Sequence, residues 1–349
     1  MVKPSERFKV GTSHLTPKGM LHIIKHYENE EGILMTVFKM DNSVIEQENK
    51  YNNVVGNIYR WNREGNINQI KPLNTVRSLK FGIELELVSP IPRSFLIEKL
   101  LEVGINVESP TSTHSQVGGW KLVHDGSIRT TSKNPYGFEL VSPPSTDFKE
   151  LEIICKVLKE EKIKTNTSCG MHVHHEIKEL KRQQIIRVYE FYNKYERLID
   201  TSLPKSRENN RFCRPINRII HRVRNSETKS ELLNNIAGSR NDRYYAGCRY
   251  YKINLRSFLY YGTIEFRQHS GSVSFEEIKD WVLFTHKIID RAIQINDNVK
   301  QFESPKTILE AFNEMTKELK IEGTQLEKGL LNKLKKQAKR RGLVLAWTK

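Results

Sequence analysis

Apolar and polar residues alternate along Phe81–Val88. Since successive side chains of a β-strand point to opposite faces, this period of two predicts a strand with one apolar face. The other face carries Glu84 and Glu86, whose side chains are expected roughly 7 Å apart, twice the rise per residue. On a sheet face exposed to water such a pair has no special meaning, so this strand alone predicts only a half-buried sheet.

Three later segments with strand-like patterns also carry ionisable side chains. They contribute Glu139 in residues 137–142, His172 and His174 in residues 168–175, and Glu265, Arg267 and His269 in residues 262–269. Each of these side chains has an ordinary alternative, as a solvated carboxylate or a structural histidine. Four strands with such faces nevertheless predict a common site of carboxylates, imidazoles and a guanidinium.

The predicted cluster of carboxylates and histidines favours a divalent cation. Carboxylates packed at short range raise one another's pKa values and oppose folding, and a cation offsets that cost. Mg²⁺ prefers oxygen ligands and shares its shell with substrate phosphates, while an imidazole among carboxylates also suits Mn²⁺. Zinc fits less well, because the set lacks paired cysteines and a compact ligand triad. An arginine beside the carboxylates is suited to stabilise a phosphoryl group during transfer.

Helical periodicity accounts for most of the remaining apolar pattern. Apolar residues at helical spacing predict helices over residues 92–103, 148–158, 180–199 and 274–295. Tyrosines on the apolar side of the third helix are interpreted as core packing. The pattern Ser274–Glu277 is typical of a capping box at the start of the fourth helix. Residues 250–258 and 262–269 predict a β-hairpin.

The chain divides into three predicted parts. Residues 1–74 carry short apolar runs separated by turn residues, which predict a small all-β, barrel-like accessory module and a polar linker. Within this part, Gly11–Gly19 and Tyr51–Ile58 resemble small accessory domains of phage-encoded proteins. Residues 75–300 contain the four ionisable strands and are the predicted main domain. Residues 301–349 form a predicted basic helical C-terminal segment.

Charge and composition restrict the class of protein. The 349 residues include 57 Lys and Arg against 41 Asp and Glu, a net charge of +16, which predicts attraction to polyanions such as nucleotides, nucleic acid or an acidic substrate. The arginines between Arg207 and Arg249 fit a phosphate clamp and a solvated basic surface about equally well. We find no apolar run that could span a bilayer and no evident signal peptide, and the four cysteines are widely spaced. We therefore expect a cytoplasmic protein with reduced thiols and no membrane contact.

Five short motifs occur in an order that resembles a known family. They are Gly82–Glu86 with its Gly-x-Glu-x-Glu pattern, His124–Ser127, Glu139–Pro143, Cys169–His174 and Gly262–Arg267. This order resembles the amidoligase family, which belongs to the carboxylate-amine ligase superfamily with glutamine synthetase and γ-glutamylcysteine ligase. The resemblance covers about residues 81–295. It implies an α+β fold like the glutamine synthetase catalytic domain, with a curved antiparallel sheet, packed helices, and ATP and two or more Mg²⁺ ions bound on the concave face.

The resemblance also implies roles for individual residues. The implied metal ligands are Glu84, Glu86, Glu139, His172 and Glu265. The implied catalytic residues are Arg267, which matches an arginine that contacts the transferring phosphate, Glu265 and Asp125. The predicted nucleotide-binding residues are His174, Arg249, Arg256 and Arg267.

The implied activity is ATP-dependent amide or isopeptide bond formation through an acyl phosphate. Related enzymes phosphorylate a carboxylate, and an amine then displaces the phosphate. The loops with which glutamine synthetase recognises glutamate and ammonia have no match in this sequence, so the carboxylate and the amine stay open, with a peptide or protein among the acceptor candidates. Two alternatives also stay open: a phosphotransferase of guanidino-kinase type, and a non-catalytic phage protein that binds nucleic acid through its basic surface. Clustered glutamates on a basic chain argue against the second.

Overall fold

Two compact units make up the chain. The computed structural model describes residues 10–11, 13–16, 19–31, 33–40, 46–50, 53–54, 72–109, 118–239, 241, 248–302 and 306–343. The first unit contains Met1–Asn74 with two short segments, Phe148–Glu152 and Ile321–Lys328, and the second contains the rest of the chain.

The first unit contains a four-stranded antiparallel sheet with its strands in chain order. The strands are β1 (Ser13–Thr16), β2 (Gly19–Glu28), β3 (Leu34–Met40) and β4 (Glu46–Lys50). Leu21 and Ile23 of β2 are buried against Val54 and form the small core of this unit. The strands expected near residues 21–24 and 33–38 are confirmed. Of those expected at 8–10 and 54–59, the structure describes only Val10 and Val54, neither of which lies in a strand, and most of the linker falls outside the described residues.

The second unit contains a seven-stranded sheet with the order β10-β11-β9-β5-β8-β7-β6. Its strands are β5 (Phe81–Ser89), β6 (Val107–Glu108), β7 (Trp120–Val123), β8 (Tyr136–Val141), β9 (Gly170–Glu176), β10 (Ile253–Asn254) and β11 (Thr263–Ser270). Neighbouring strands run antiparallel except β6 and β7 at one edge, which are parallel. The expectation of a wholly antiparallel sheet is therefore wrong at this edge.

Helices complete the α+β architecture. In the described residues they are α1 (Arg93–Glu102), α2 (Lys149–Glu160), α3 (Arg182–Thr201), α4 (Ile220–Arg224), α5 (Lys229–Ile236), α6 (Ser257–Tyr261), α7 (Phe275–Gln294), α8 (Ile308–Leu319) and α9 (Gln325–Arg340), with 3₁₀ turns at Lys205–Arg207 and Ile216–Arg218. The long helices α3 and α7 pack against each other. Tyr189, Tyr192 and Tyr195 of α3 are fully buried, so the tyrosines are core residues as the sequence predicts. Within the described part of the chain, helices with the length and apolarity to cross a membrane are absent.

The expected hairpin before β11 is wrong over most of its first strand. β10 is only two residues long, and Ser257–Tyr261 form helix α6 instead. The side chain of Asn254 ends the strand, because its Oδ1 accepts the backbone N–H of Arg256 at 2.8 Å and turns the chain. Gly262 closes α6 with φ of +71°, a conformation that L side chains rarely adopt.

Two smaller expectations also fail. Ser274 does not cap α7 through its side chain; instead, the hydroxyl of Ser272 donates to Glu277 at 2.9 Å and accepts the N–H of Ser274 at 3.2 Å. His269 does not share a face with Glu265 and Arg267. The register of β11 against β9 shifts between Phe266 and His269, and the His269 ring packs on Trp281 with centroids 5.0 Å apart.

Candidate active site

Four adjacent strands, in the order β11, β9, β5 and β8, bring the predicted ionisable residues to one place. The strand register pairs Glu265 with His174, His172 with Glu84, and Glu86 with Glu139. Because paired residues on neighbouring strands have side chains on the same face, a spacing of two along each strand becomes a two-dimensional cluster across the sheet. Val173 of β9 and Phe266 of β11 lie between these positions and are fully buried.

His172 is the centre of this cluster. Its Nδ1 lies 2.8 Å from Oε2 of Glu84 and 3.5 Å from Oε1 of Glu265, and its Nε2 lies 3.6 Å from Oε1 of Glu86. His174 adds a second imidazole, with Nε2 at 3.2 Å from Oε1 of Glu84. Two imidazoles and three carboxylates therefore form one connected set. Only the Glu84 side chain is appreciably exposed in this set, at 25%.

The loop after β7 adds a further carboxylate. Asp125 follows the end of β7, and its Oδ1 accepts the backbone N–H of Ser127 at 2.7 Å, so an Asx turn fixes its position. Three groups in this region offer ligand atoms within 4.8 Å of one another and could each hold a metal ion. They are Glu84 with Glu139 and His172, Glu84 with His174 and Glu265, and Glu86 with Asp125 and Glu139.

Burial and neighbouring charges shift the pKa values of the carboxylates in this cluster. Burial, and then the charges of Glu84, Glu86 and Asp125, raise the pKa of Glu139 well above its ordinary value. Burial alone would raise the pKa of Glu84 as well, but His174 and His172 outweigh it and hold that pKa well below the ordinary value. His172 and His174 thus offset the negative charge of Glu84, whereas Glu139 lies among other carboxylates.

Arg267 is held beside the cluster by Glu265. Its Nη1 donates to Oε1 of Glu265, and the other carboxylate oxygen accepts Nδ2 of Asn254 at 2.5 Å. Burial opposes the charge on Arg267, but Glu265 and Glu84 outweigh it and raise the pKa of the guanidinium. A buried, permanently charged arginine therefore stands next to the carboxylates, with its Nε unpaired.

These side chains line one open cavity of about 390 Å³. The cavity includes all ten residues that the sequence singled out: Glu84, Glu86, Asp125, Glu139, His172, His174, Arg249, Arg256, Glu265 and Arg267. The structure thus brings them together, and their individual roles stay predictions. Arg256 is largely engaged elsewhere, because its Nη1 donates to the carbonyl oxygen of Ala237 at 2.8 Å.

The cavity also includes residues to which the sequence reasoning gave no individual role. They are Ser127, Ser168, Arg207, Phe212, Tyr250, Asn254, Ser257, Tyr260 and Tyr261. Tyr260 and Tyr261 directly precede the Gly262 motif, which was an available signal. For Asn254 there was no signal in the sequence, because its contact with Glu265 depends on the pairing of β10 with β11.

Aromatic rings and arginines form a second wall of the cavity. The rings of Phe212 and Tyr250 meet edge to face with centroids 5.6 Å apart, and the Arg249 guanidinium lies 4.7 Å from the Tyr250 centroid. Tyr261 stands edge-on to His174 at 6.3 Å, which joins this wall to the carboxylate cluster. Such rings stack planar groups, and such arginines pair with anions.

Comparison with known proteins gives one result for this part of the chain. A search of curated proteins found no match. A protein-family model described as "Putative amidoligase enzyme" matches residues 77–289, which is more than half of the chain and includes every strand of the sheet that carries the cluster. The chain belongs to the amidoligase family.

Proposed function

We propose that this protein is an ATP-dependent carboxylate-amine ligase that forms an amide or isopeptide bond through an acyl phosphate. The observation that carries the proposal is one cavity in which the side chains of five carboxylates, two imidazoles and Arg267 converge. A binding protein gains nothing from packing like charges in this way, whereas a phosphoryl-transfer enzyme needs them to hold cations against phosphates.

Divalent cations fit the donor set. Glu86, Asp125 and Glu139 approach one another without a basic side chain among the three, and burial together with the neighbouring negative charges raises the pKa of Glu139. Oxygen ligands with one imidazole suit Mg²⁺ and also Mn²⁺. The three groups would hold up to three ions. Bound there, the cations would neutralise and align the phosphates of ATP.

Particular residues of the chain would act in each step of the reaction. The carboxylate oxygen of the substrate would attack the γ-phosphorus of ATP, the bond to the β-γ bridging oxygen would break, and ADP would leave. Arg267 would stabilise the charge on the phosphoryl group in transfer, with Glu265 fixing the direction of its guanidinium. The amine would then attack the acyl carbon and phosphate would leave, with Asp125 accepting the amine proton.

Nucleotide and acceptor would share the remaining space. His174, Arg249 and Arg256 are the candidates for contacts with ATP, alongside Arg267. A peptide or protein is a reasonable carrier of either reacting group, because the cavity is open to solvent and the chain is strongly basic. The same basic surface is the candidate for contacts with polyanions or nucleic acid. Use of ATP would place the reaction in the cytoplasm.

The fold supports the same proposal. The largely antiparallel sheet of the second unit carries the ionisable cluster on one face and buried apolar residues such as Val173 on the other. We propose that it corresponds to the catalytic sheet of glutamine synthetase and its relatives. Superposition of an experimental structure on those enzymes tests this correspondence.

The activity is tested by trapping the acyl phosphate. Purified protein is incubated with ATP, Mg²⁺, hydroxylamine and pools of carboxylates, including peptides, and hydroxamate is measured together with ADP and phosphate. Hydroxylamine is a small strong nucleophile and replaces the unidentified amine. A pool that yields hydroxamate and ADP supports the ligase. A stable phosphorylated product without hydroxamate would show a phosphotransferase instead.

A further inference from the structure

A break in the sheet lies directly at Arg267. Strand β11 pairs with β9 up to Phe266 and again from His269, and the register shifts between these two residues. A bulge of this kind leaves backbone groups without their ladder partners. Arg267 and Gln268 stand in this interval. On the other edge of β11, the N–H of Arg267 donates to the carbonyl oxygen of Lys252 at 2.8 Å.

The guanidinium of Arg207 supplies the missing donors. Its Nη2 donates to the carbonyl oxygen of Arg267 at 2.7 Å, and its Nε donates to that of Gln268 at 3.1 Å. Arg207 is 5% exposed although it lines the cavity. One planar side chain thus holds two consecutive carbonyl groups, a geometry that a fixed fork of donors fits and a single ammonium group does not.

Arg207 is itself fixed in place. It ends the 3₁₀ turn Lys205–Arg207, and its carbonyl oxygen accepts Sγ of Cys213 at 3.3 Å and Nε2 of Gln268 at 3.3 Å. The Gln268 side chain also accepts the hydroxyl of Tyr192 at 2.5 Å. Arg207 and Gln268 therefore hold each other reciprocally, side chain to backbone in both directions.

Gly170 leaves the space that the Arg207 guanidinium needs. A Cβ at Gly170 would lie 3.1 Å from Nη2 of Arg207 and 3.1 Å from Nε2 of His172. The N–H of Gly170 meanwhile donates to Oε2 of Glu86 at 2.6 Å. The start of β9, the bulge of β11 and the carboxylate cluster thus meet around the Arg207 side chain.

We infer that Arg207 is a positioning residue: by holding the bulged backbone of β11, it fixes the direction in which Arg267 presents its guanidinium to the cavity. The expected effect on rate rests on the proposed function. The hydrogen bonds by which Arg207 holds the β11 backbone can be tested without any activity. Arg207 acts through Arg267, so losing its two hydrogen bonds should slow the transfer step and leave metal and nucleotide binding nearly intact. A misdirected catalytic group typically costs about 100-fold in rate.

The activity arm compares Arg207→Lys with Arg197→Lys, a matched change at an exposed arginine of α3 outside the cavity. In the hydroxamate reaction, Arg207→Lys should lower kcat about 100-fold and change the KM for ATP less than about threefold. Arg197→Lys should behave as wild type. Guanidine at millimolar concentration should partly restore kcat to Arg207→Ala and not to Arg267→Lys. Wild-type kcat in Arg207→Lys, or a loss confined to the KM for ATP, would overturn the inference.

The structural arm does not depend on activity. In protein labelled with ¹⁵N-arginine, the Arg207 guanidinium of the wild type should show slow rotation about its Nε–Cζ bond and separate Nη signals. The Nε–H signal of Arg267 should shift or broaden in Arg207→Lys and not in Arg197→Lys. Fast rotation of Arg207 in the wild type would overturn the inference even if Arg207→Lys failed to fold. If the wild type formed no hydroxamate while this arm gave the expected signals, the proposed function alone would fall.

Discussion

The Nδ1 atom of His172 in β9 lies 2.8 Å from Oε2 of Glu84 in β5, and these two residues pair directly across the strands. The same imidazole reaches Glu265 at 3.5 Å and Glu86 at 3.6 Å. One side chain of β9 thus bridges three carboxylates from its two neighbouring strands, β5 and β11. A cation that binds here replaces this arrangement, so metal binding and the hydrogen bonds of His172 are coupled.

The first prediction concerns the metal ligands. Mg²⁺ with ATP should raise the Tm of the wild type more than either alone, because ligands that bind only the folded state stabilise it. Glu84→Gln and Glu265→Gln should remove this joint shift, since an amide is a weaker ligand and carries no charge. Glu179→Gln, at an exposed position, is the control and should keep the shift. A full shift in both cluster variants would contradict the assignment.

The second prediction concerns Arg267. Replacing Arg267 by Lys should lower kcat for hydroxamate formation by about 100-fold or more, because a point charge does not replace a guanidinium that pairs with Glu265 and a phosphoryl group at once. The Kd for ATP should change only a few-fold. Calorimetry measures the binding, and Arg218→Lys on the exposed surface serves as the control. An Arg267→Lys enzyme with normal kcat and weak ATP binding would instead assign Arg267 to nucleotide affinity.

The third prediction concerns a buried ion network behind the cavity. The Lys252 ammonium is fully buried between Glu196 at 2.9 Å and Asp200 at 2.6 Å. Removing one partner of a buried pair leaves uncompensated charge, so Lys252→Met should lower the free energy of unfolding by about 3–5 kcal/mol. Urea denaturation measures it, with the exposed Lys205→Met as control. A loss below about 1 kcal/mol, as for an ion pair at the surface, would contradict this prediction.

The fourth prediction concerns pH and Asp280. Burial, and then the charge of Glu276, raise the pKa of Asp280 from its ordinary 3.8 to about 7. The folded state therefore holds this proton more tightly than the unfolded state, and the stability it contributes is lost as pH rises from about 4 to about 7. Asp280→Asn replaces the carboxyl group by an uncharged amide of nearly the same shape. Its Tm should exceed that of the wild type above pH 7 and approach it near pH 4, whereas the exposed Asp297→Asn should track the wild type throughout. Parallel wild-type and Asp280→Asn curves would refute the assignment.

Local patterns in the sequence predicted about half of the residues that line the cavity, because alternation along a strand fixes the face of each side chain. Glu84 with Glu86, and His172 with His174, were placed on common faces by their spacing alone. What the spacing could not give was the strand order that sets Glu265 beside His174, since that order depends on contacts between distant segments. The repeated strand patterns predicted a common site without that order, and the family resemblance then implied roles for its residues.

Irregular backbone accounts for what the sequence did not predict. The bulge in β11 turns His269 away from Arg267, and strict alternation fails wherever one strand carries an extra residue. The sequence did not distinguish Arg207 from the other arginines. The role we infer for it depends on carbonyl groups that the bulge leaves without partners on the neighbouring strand. Asn254 likewise ends β10 through its own side chain, so a longer strand was expected there.

In the proposed reaction, ATP phosphorylates a substrate carboxylate on the way to an amide. The most direct measurement uses the carboxylate found in the hydroxylamine screen, labelled with ¹⁸O in its carboxyl group, with ATP, Mg²⁺ and hydroxylamine, which displaces the phosphate. Mass spectrometry then locates the label in the phosphorus-containing products. A ligase that forms an acyl phosphate transfers one ¹⁸O to inorganic phosphate and releases ADP. Label in AMP, or in a stable phosphorylated substrate with unlabelled phosphate, would contradict the account.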